Sequence, residues 1–219
     1  MKSSVIARLT AVLLLLMIPG LSLALEVIKL PPPQMKGGKP LMDCLKERQS
    51  TRGGFGPAVK LTDQQLSNLL WSADGINRPP KHRTAPSAAD WQNIDIYVTT
   101  QDGLFLYNNE QHTLTVLGKE DVRGVAGTQD FVPKAPLNLI YVADMARAVF
   151  GGNRMKDVED SWSFANVGAI AQNVYLYCAS ENLACIVRAM FDKDAIIKTL
   201  KLRPDQKPIL AQTIAQFKK

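Results

Sequence analysis

Residues 162–182 read WSFANVGAIAQNVYLYCASEN, a stretch that is apolar almost all the way round a helical wheel. Phe164, Val167, Ala171, Val174 and Cys178 share one stripe at helical spacing, and Ile170 and Tyr177 lie off it. An ordinary surface helix carries a single apolar stripe, so a helix of this kind belongs in a core or at a subunit interface. Downstream, CIVRAMF (185–191) reads as a strand, IIKTL (196–200) as a helical remnant and KPILAQTIAQF (207–217) as a last strand. Upstream, PLNLIYVAD (136–144) has the few polar residues of a buried strand, and in NIDIYVTT (93–100) Ile94, Ile96 and Val98 alternate with their neighbours. QDG (101–103) is a hairpin turn, and LFLYNN (104–109) and HTLTVL (112–117) continue as strands, which makes the middle of the chain an antiparallel meander.

Two helices precede the meander. Thr62-Asp63-Gln64-Gln65 has the spacing of a capping box ahead of Leu66, Leu69, Leu70 and Trp71, and this helix ends before Asp74-Gly75. Leu41, Met42 and Leu45 predict a short helix over 41–48, followed by a turn at RGGFGP (52–57). GINRPPKHRTAPSAADWQ (75–92) is a polar loop with three prolines. The order is mixed α+β, with no internal repeat.

The chain opens with MKSSVIARLTAVLLLLMIPGLSLA (1–24): a basic start, an apolar run from Leu9 to Ile18, a Pro19-Gly20 break and small residues at Ser22 and Ala24. This is the pattern of a secretory signal peptide, and the run is about half of the roughly 20 apolar residues a spanning helix needs. The expectation is export to a bacterial periplasm with no stable membrane anchor after cleavage. An extended Pro- and Gly-rich arm then occupies 25–40, and the domain proper 41–219. Of 219 residues, 46% are hydrophobic and 21% charged, the balance of a packed protein, and the net charge of +6 is too mild and too scattered to imply nucleic acid. If Cys178 and Cys185 shared a helix they would be about 10 Å apart along its axis, too far for a disulfide, so buried free thiols are expected of the three cysteines. His82 and His112 have no close Cys or His partner in sequence, and no metal site is expected.

No dinucleotide fingerprint, P-loop, nucleophile elbow or His-Glu-x-x-His motif occurs. Asp157, Glu159 and Asp160 suit the positive end of a helix dipole better than glycoside chemistry. Two basic, hydroxyl-rich segments remain: Arg48-Gln49-Ser50-Thr51-Arg52, and Arg83-Thr84-Ala85-Pro86-Ser87-Ala88 with Asp90 and Trp91. Guanidinium groups pair with phosphate oxygens, and hydroxyls and free backbone N–H groups hold phosphate or ribityl oxygens, so both segments suit an anionic cofactor; solvated surface loops are the other reading.

Arg-x-Ser-Thr-Arg near the start, Ala-Pro-Ser-Ala before a strand, Gly-Ala-Ile-Ala-Gln-Asn-Val (168–174) on a late helix and a Lys-ending final strand occur in the order seen in the FMN-dependent nitroreductase family, which the chain resembles over 41–219. The branch it resembles includes the thiazoline and oxazoline dehydrogenases. The resemblance implies an α+β nitroreductase-like fold, a mostly antiparallel central sheet flanked by helices, and a homodimer with FMN at the subunit interface. It further implies ping-pong transfer from a nicotinamide donor, NAD(P)H, or another donor, to a quinone-like, nitroaromatic or other unsaturated acceptor. By the same resemblance Arg48, Gln49, Ser50 and Arg52 bind FMN, Pro86, Ser87 and Ala88 lie against its ring, Ala189 and Met190 approach N5, and Lys218 meets the phosphate. No protein nucleophile is required, because the flavin carries the redox step.

The sequence departs from the family at Asp90, where many relatives have Asn, and at Ala215-Gln216-Phe217, where they have Gly-Tyr-Pro. A carboxylate at the pyrimidine edge of the flavin disfavours its anionic reduced form. The Lys-Tyr pair of the azoline-oxidising relatives is missing from GGNRMKDVEDSW (151–162), which argues against peptide azoline oxidation. A flavin-free binding or scaffold protein and a flavin dehydrogenase specific for a metabolite are the two other readings.

Overall fold

The structure, a computed structural model, describes residues 25–56 and 58–218; the expected leader over 1–24 lies outside the described residues. In chain order the elements are β1 (Val27–Lys29), α1 (Leu41–Glu47), α2 (Asp63–Asp74), β2 (Ile76–Arg78), β3 (His82–Arg83), β4 (Ile94–Thr100), β5 (Gly103–Asn108), β6 (Thr113–Gly118), β7 (Leu137–Asp144), β8 (Val149–Phe150), β9 (Asn153–Arg154), α3 (Glu159–Ser180), β10 (Leu183–Arg188), α4 (Lys193–Leu200) and β11 (Gln206–Gln216). One sheet runs β1-β6-β5-β4-β7-β11-β10, with each neighbouring pair antiparallel. This is the α+β architecture expected of the chain, and β4, β5 and β6 form the meander.

The sheet is covered on both faces. Ile94, Ile96 and Val98 of β4 and Leu139 and Tyr141 of β7 pack with α2 and α3. Ile140 and Val142 of β7 face a second cluster with Ile196 and Leu200 of α4 and with the 3-10 turns at 123–126 and 132–134. Double coverage explains why β7 is apolar from Leu139 to Ala143 rather than alternating, since all eight of its residues are buried. At the β4–β5 turn Gly103 has φ +139°, and a Cβ there would lie 2.2 Å from the Gly118 carbonyl oxygen. Only glycine fits both the torsion and that close approach.

The capping box of α2 forms as its spacing predicts: the Gln65 N–H donates to Thr62 Oγ1 (3.1 Å) and the Thr62 N–H to Gln65 Oε1 (3.0 Å). The IIKTL remnant is the end of an eight-residue helix, because the Asp192 carboxylate caps its start by accepting from the Asp194 and Ala195 N–H groups. CIVRAMF is strand only as far as Arg188, and Ala189 and Met190 lie beyond its end. Phe164 departs from the expected buried stripe. Val167, Ile170, Ala171, Val174 and Cys178 are buried, whereas Phe164 is 49% exposed on an outer face shared with Ala165 and Gly168. All three cysteines are free and buried; Cys178 sits on α3 and Cys185 on β10, not on one helix.

The arm is extended, and its start joins the sheet edge as β1. It then crosses α2, where Ser67 Oγ donates to the Pro31 carbonyl (2.6 Å) and Gln64 Nε2 to that of Pro32 (3.0 Å). Lys39 Nζ ends the crossing at the C-terminus of α3, donating to the Ala179 carbonyl (3.1 Å) and Asn182 Oδ1 (2.8 Å). A cation there also suits the negative end of the helix dipole. No helix among the described residues is long and apolar enough to cross a membrane. Removing the α2 cap with Thr62→Ala is expected to lower unfolding stability by about 1 kcal/mol, read as a lower urea midpoint with an unchanged slope.

Candidate functional site

Arg48 follows the last turn of α1, its N–H donating to the Cys44 carbonyl (2.8 Å), and its guanidinium lies 5.3 Å from the centre of the Tyr175 ring on α3. The Tyr175 hydroxyl is hydrogen-bonded to Ser50 Oγ (2.9 Å) and accepts from the Val187 N–H of β10 (2.8 Å). One α3 side chain therefore ties the segment after α1 to the sheet. Thr51 is buried against that sheet edge, donating its N–H to the Cys185 carbonyl (2.8 Å). Farther on, the Lys218 N–H donates to the Gly54 carbonyl and the Gly56 N–H to that of Gln216, each at 2.7 Å. The fold thereby sets the segment carrying Arg48, Gln49, Ser50 and Arg52 and the backbone of Lys218 along the same end of β10 and β11. None of those three cations has a carboxylate partner among the described residues.

The Pro86-Ser87-Ala88 loop is held nearer the other end of α3. Asn166, buried, accepts the Ala88 N–H on Oδ1 (2.8 Å) and donates through Nδ2 to Asn93 Oδ1 (3.0 Å). Asn93 in turn donates to Ser163 Oγ (2.8 Å), and Ser87 Oγ accepts the Gln92 N–H (2.8 Å). Ala89, Asp90 and Gln92 have φ of 48°, 52° and 48°. Three left-handed residues so close together are tolerated only where their surroundings over-determine them, and the Asn166–Asn93–Ser163 network does so. Asp90 is paired with Lys81 Nζ (2.6 Å), and that hydrogen bond holds its carboxyl below the ordinary range, so it stays charged.

A family model gives the arrangement its context, matching residues 45–215 under the description nitroreductase family. The chain belongs to the nitroreductase family. A relative from Methanocaldococcus jannaschii named as a nitroreductase is 29% identical over 188 residues, covering 80% of this chain and 90% of its own. A crystal structure from Ralstonia eutropha, titled as a nitroreductase, is 39% identical with a TM-score of 0.79, covering 87% of this chain and 89% of that one. The fold is also shared with a chain of the Escherichia coli microcin synthetase McbBCD complex, at 17% identity and a TM-score of 0.69, covering 97% of this chain and 85% of that one. Nitroreductase membership supports a flavin-type oxidoreductase.

Within one nitroreductase chain the expected site residues form separate groups. Asn166 and Tyr175 are nine residues apart, about 13 Å along α3, so the Ser87 loop and the Arg48 segment sit at different levels of the helix. Gln49, the Pro86-Ser87 pair with Asp90, and Lys218 line three different clefts, of about 300, 290 and 460 Å³. Ala189 and Met190 form a further group, in which the Met190 carbonyl accepts the Thr128 N–H (3.2 Å) and the side chain is exposed. Immediately before them stands Arg188, buried and without a carboxylate partner among the described residues. It donates to Thr213 Oγ1 (2.6 Å), the Ala126 carbonyl (3.0 Å) and Asn138 Oδ1 (3.2 Å), and burial lowers its pKa to about 10.

Sequence reasoning missed Tyr175, Asn166, Asn93 and Arg188. The Asn166 signal was present: an amide among the apolar residues of α3 requires a partner. The loop is also anchored by the buried Asp74–Arg83 pair (2.6 Å). Burial outweighs the pull of Arg83 and pushes the Asp74 carboxyl up from 3.8 to about 6. The folded state thus holds a proton that the unfolded chain releases, and this group's contribution to stability is full below about pH 4 and lost as the pH rises through about 6. Asp74→Asn is expected to flatten that decline by on the order of 2 kcal/mol in urea unfolding across this range.

Proposed function

We propose that the protein is an FMN-dependent oxidoreductase of nitroreductase type that works as a homodimer. It would take electrons from a nicotinamide or other donor and pass them to a quinone-like, nitroaromatic or other unsaturated small-molecule acceptor. The observation that carries this reading is the set of cations without carboxylate partners among the described residues, Arg48, Arg52 and Lys218, on two segments that run along one end of β10 and β11 in a nitroreductase chain. Positive charge left free in this way fits a phosphate monoester. Bound FMN supplies the two-electron chemistry. Arg48, Arg52 and Lys218 hold the phosphate, Gln49 and Ser50 orient the chain next to it, and the Ser87–Ala88 backbone, fixed by Asn166, supports the ring. Ala189 and Met190 form the remaining wall.

Separation of these groups within one chain supports a site completed by a second copy. The outer face of α3 (Phe164, Ala165, Gly168) and the exposed Leu41, Met42 and Leu45 of α1 supply the apolar surface for it. The leader over 1–24 supports an exported protein acting in the bacterial periplasm.

Protein purified from Leu25 onward is expected to carry one FMN per chain by visible absorption and analysis of the released cofactor. A colourless protein that does not bind added FMN overturns the reading. Arg52→Ala, which removes one charge-assisted contact, is expected to weaken FMN binding by about 10- to 100-fold, measured by equilibrium titration. Phe164→Glu is expected to leave the circular dichroism unchanged while sedimentation shows a monomer and the flavin is lost.

A further inference from the structure

Beside the Ser87 loop, the β2–β3 hairpin overhangs a cleft of about 290 Å³ lined by Arg78, His82, Arg83, Pro86, Ser87 and Asp90. Its charges do not cancel. Asp74 lies behind Arg83 and engages Nη1, while Asp90 is taken up by Lys81 and Gln92. Arg78 is exposed, has no carboxylate partner among the described residues, and makes only a 3.4 Å contact to the side chain of its neighbour Asn77. The Arg83 side chain is 9% exposed, and its Nε is buried without a hydrogen-bond partner. An orphaned guanidinium N–H is costly, and Arg83, whose Nη1 is held by Asp74, is itself one of the residues that line the cleft.

We infer that this cleft seats the anionic group, a carboxylate, sulfonate or phosphate, of the small molecule that exchanges electrons at the Pro86–Ser87 loop. Arg78 and Arg83 receive that group from two sides. Arg83 is pre-positioned by Asp74, which Asn109 Nδ2 also contacts at 3.2 Å. Arg78 stands on the hairpin where it can turn toward the ligand. The inference rests on the proposed function in that the Ser87 loop borders the flavin.

The test compares 1,4-naphthoquinone with its 2-sulfonate on FMN-loaded protein, each quinone taking one hydride equivalent from the nicotinamide donor and one proton from water to give the quinol. The parent is expected to favour the sulfonate in kcat/KM. Arg78→Glu is expected to reduce that preference at least 10-fold, with Arg78→Lys retaining part of it. A second arm holds the uncharged quinone fixed and compares NADPH with NADH: an Arg78→Glu effect confined to NADPH assigns the anion to the donor, and one confined to the sulfonate assigns it to the acceptor. Calorimetric titration with naphthalene-2-sulfonate needs no flavin and separates the two readings. A flavin-free protein that binds the sulfonate only when Arg78 is intact retains the anion site and loses the flavin function. Equal sulfonate binding by parent and Arg78→Glu, or an unchanged quinone preference in the first kinetic arm together with an unchanged NADPH-to-NADH ratio in the second, overturns the inference.

Discussion

Val167, Ile170, Ala171, Val174 and Cys178 of α3 are buried in the core that also contains β7, β10 and β11 side chains, and the position of the Arg48–Ser50 segment and of the Ser87–Ala88 loop follows from that packing. A fully buried Val or Ile side chain contributes roughly 1.5–3 kcal/mol, against about 1 kcal/mol for a typical net hydrogen bond. Apolar burial therefore places the helix, and its few polar side chains then act from a fixed platform. Asn166 takes the Ser87–Ala88 loop and Tyr175 takes the Arg48–Ser50 segment, so two loops distant in sequence are held by one rigid rod.

Charge is distributed to match. Where an ion is buried beside the site it has partners, as Asp74 has Arg83 and Asn109, or Arg188 has three neutral acceptors. Where cations face solvent at the Arg48 segment they have no carboxylate partner among the described residues. A cation with no carboxylate partner has no internal ion pair to break on meeting an anion, which suits a phosphate site.

Much of the fold was legible because it rests on local pattern. The Thr62–Gln65 box, the alternation of Ile94, Ile96 and Val98, and the apolar run of 139–143 each report an element through its own pattern. The exposure of Phe164 was not legible. It shares a stripe with buried residues on the wheel, and only the angle at which α3 meets the sheet decides which part of an almost wholly apolar circumference remains uncovered. Nor was the reach of the strand at 185–191, whose end is set by where β11 stops pairing, at Arg188↔Ala211.

The sequence by itself determined the main helices and strands, the α2 cap, the antiparallel meander and the basic, hydroxyl-rich character of the segments 48–52 and 83–88, because each depends on residues within a few positions of one another. Only the tertiary structure decided that the Lys218 backbone pairs with Gly54 beyond the Arg48–Arg52 segment, that Asn166 and Tyr175 hold the loops, that Asp90 pairs with Lys81, and that Arg78 and Arg83 line one cleft. These are long-range or loop-borne juxtapositions. They depend on strand order and helix placement, which follow from burying both faces of the sheet at once rather than from any local preference.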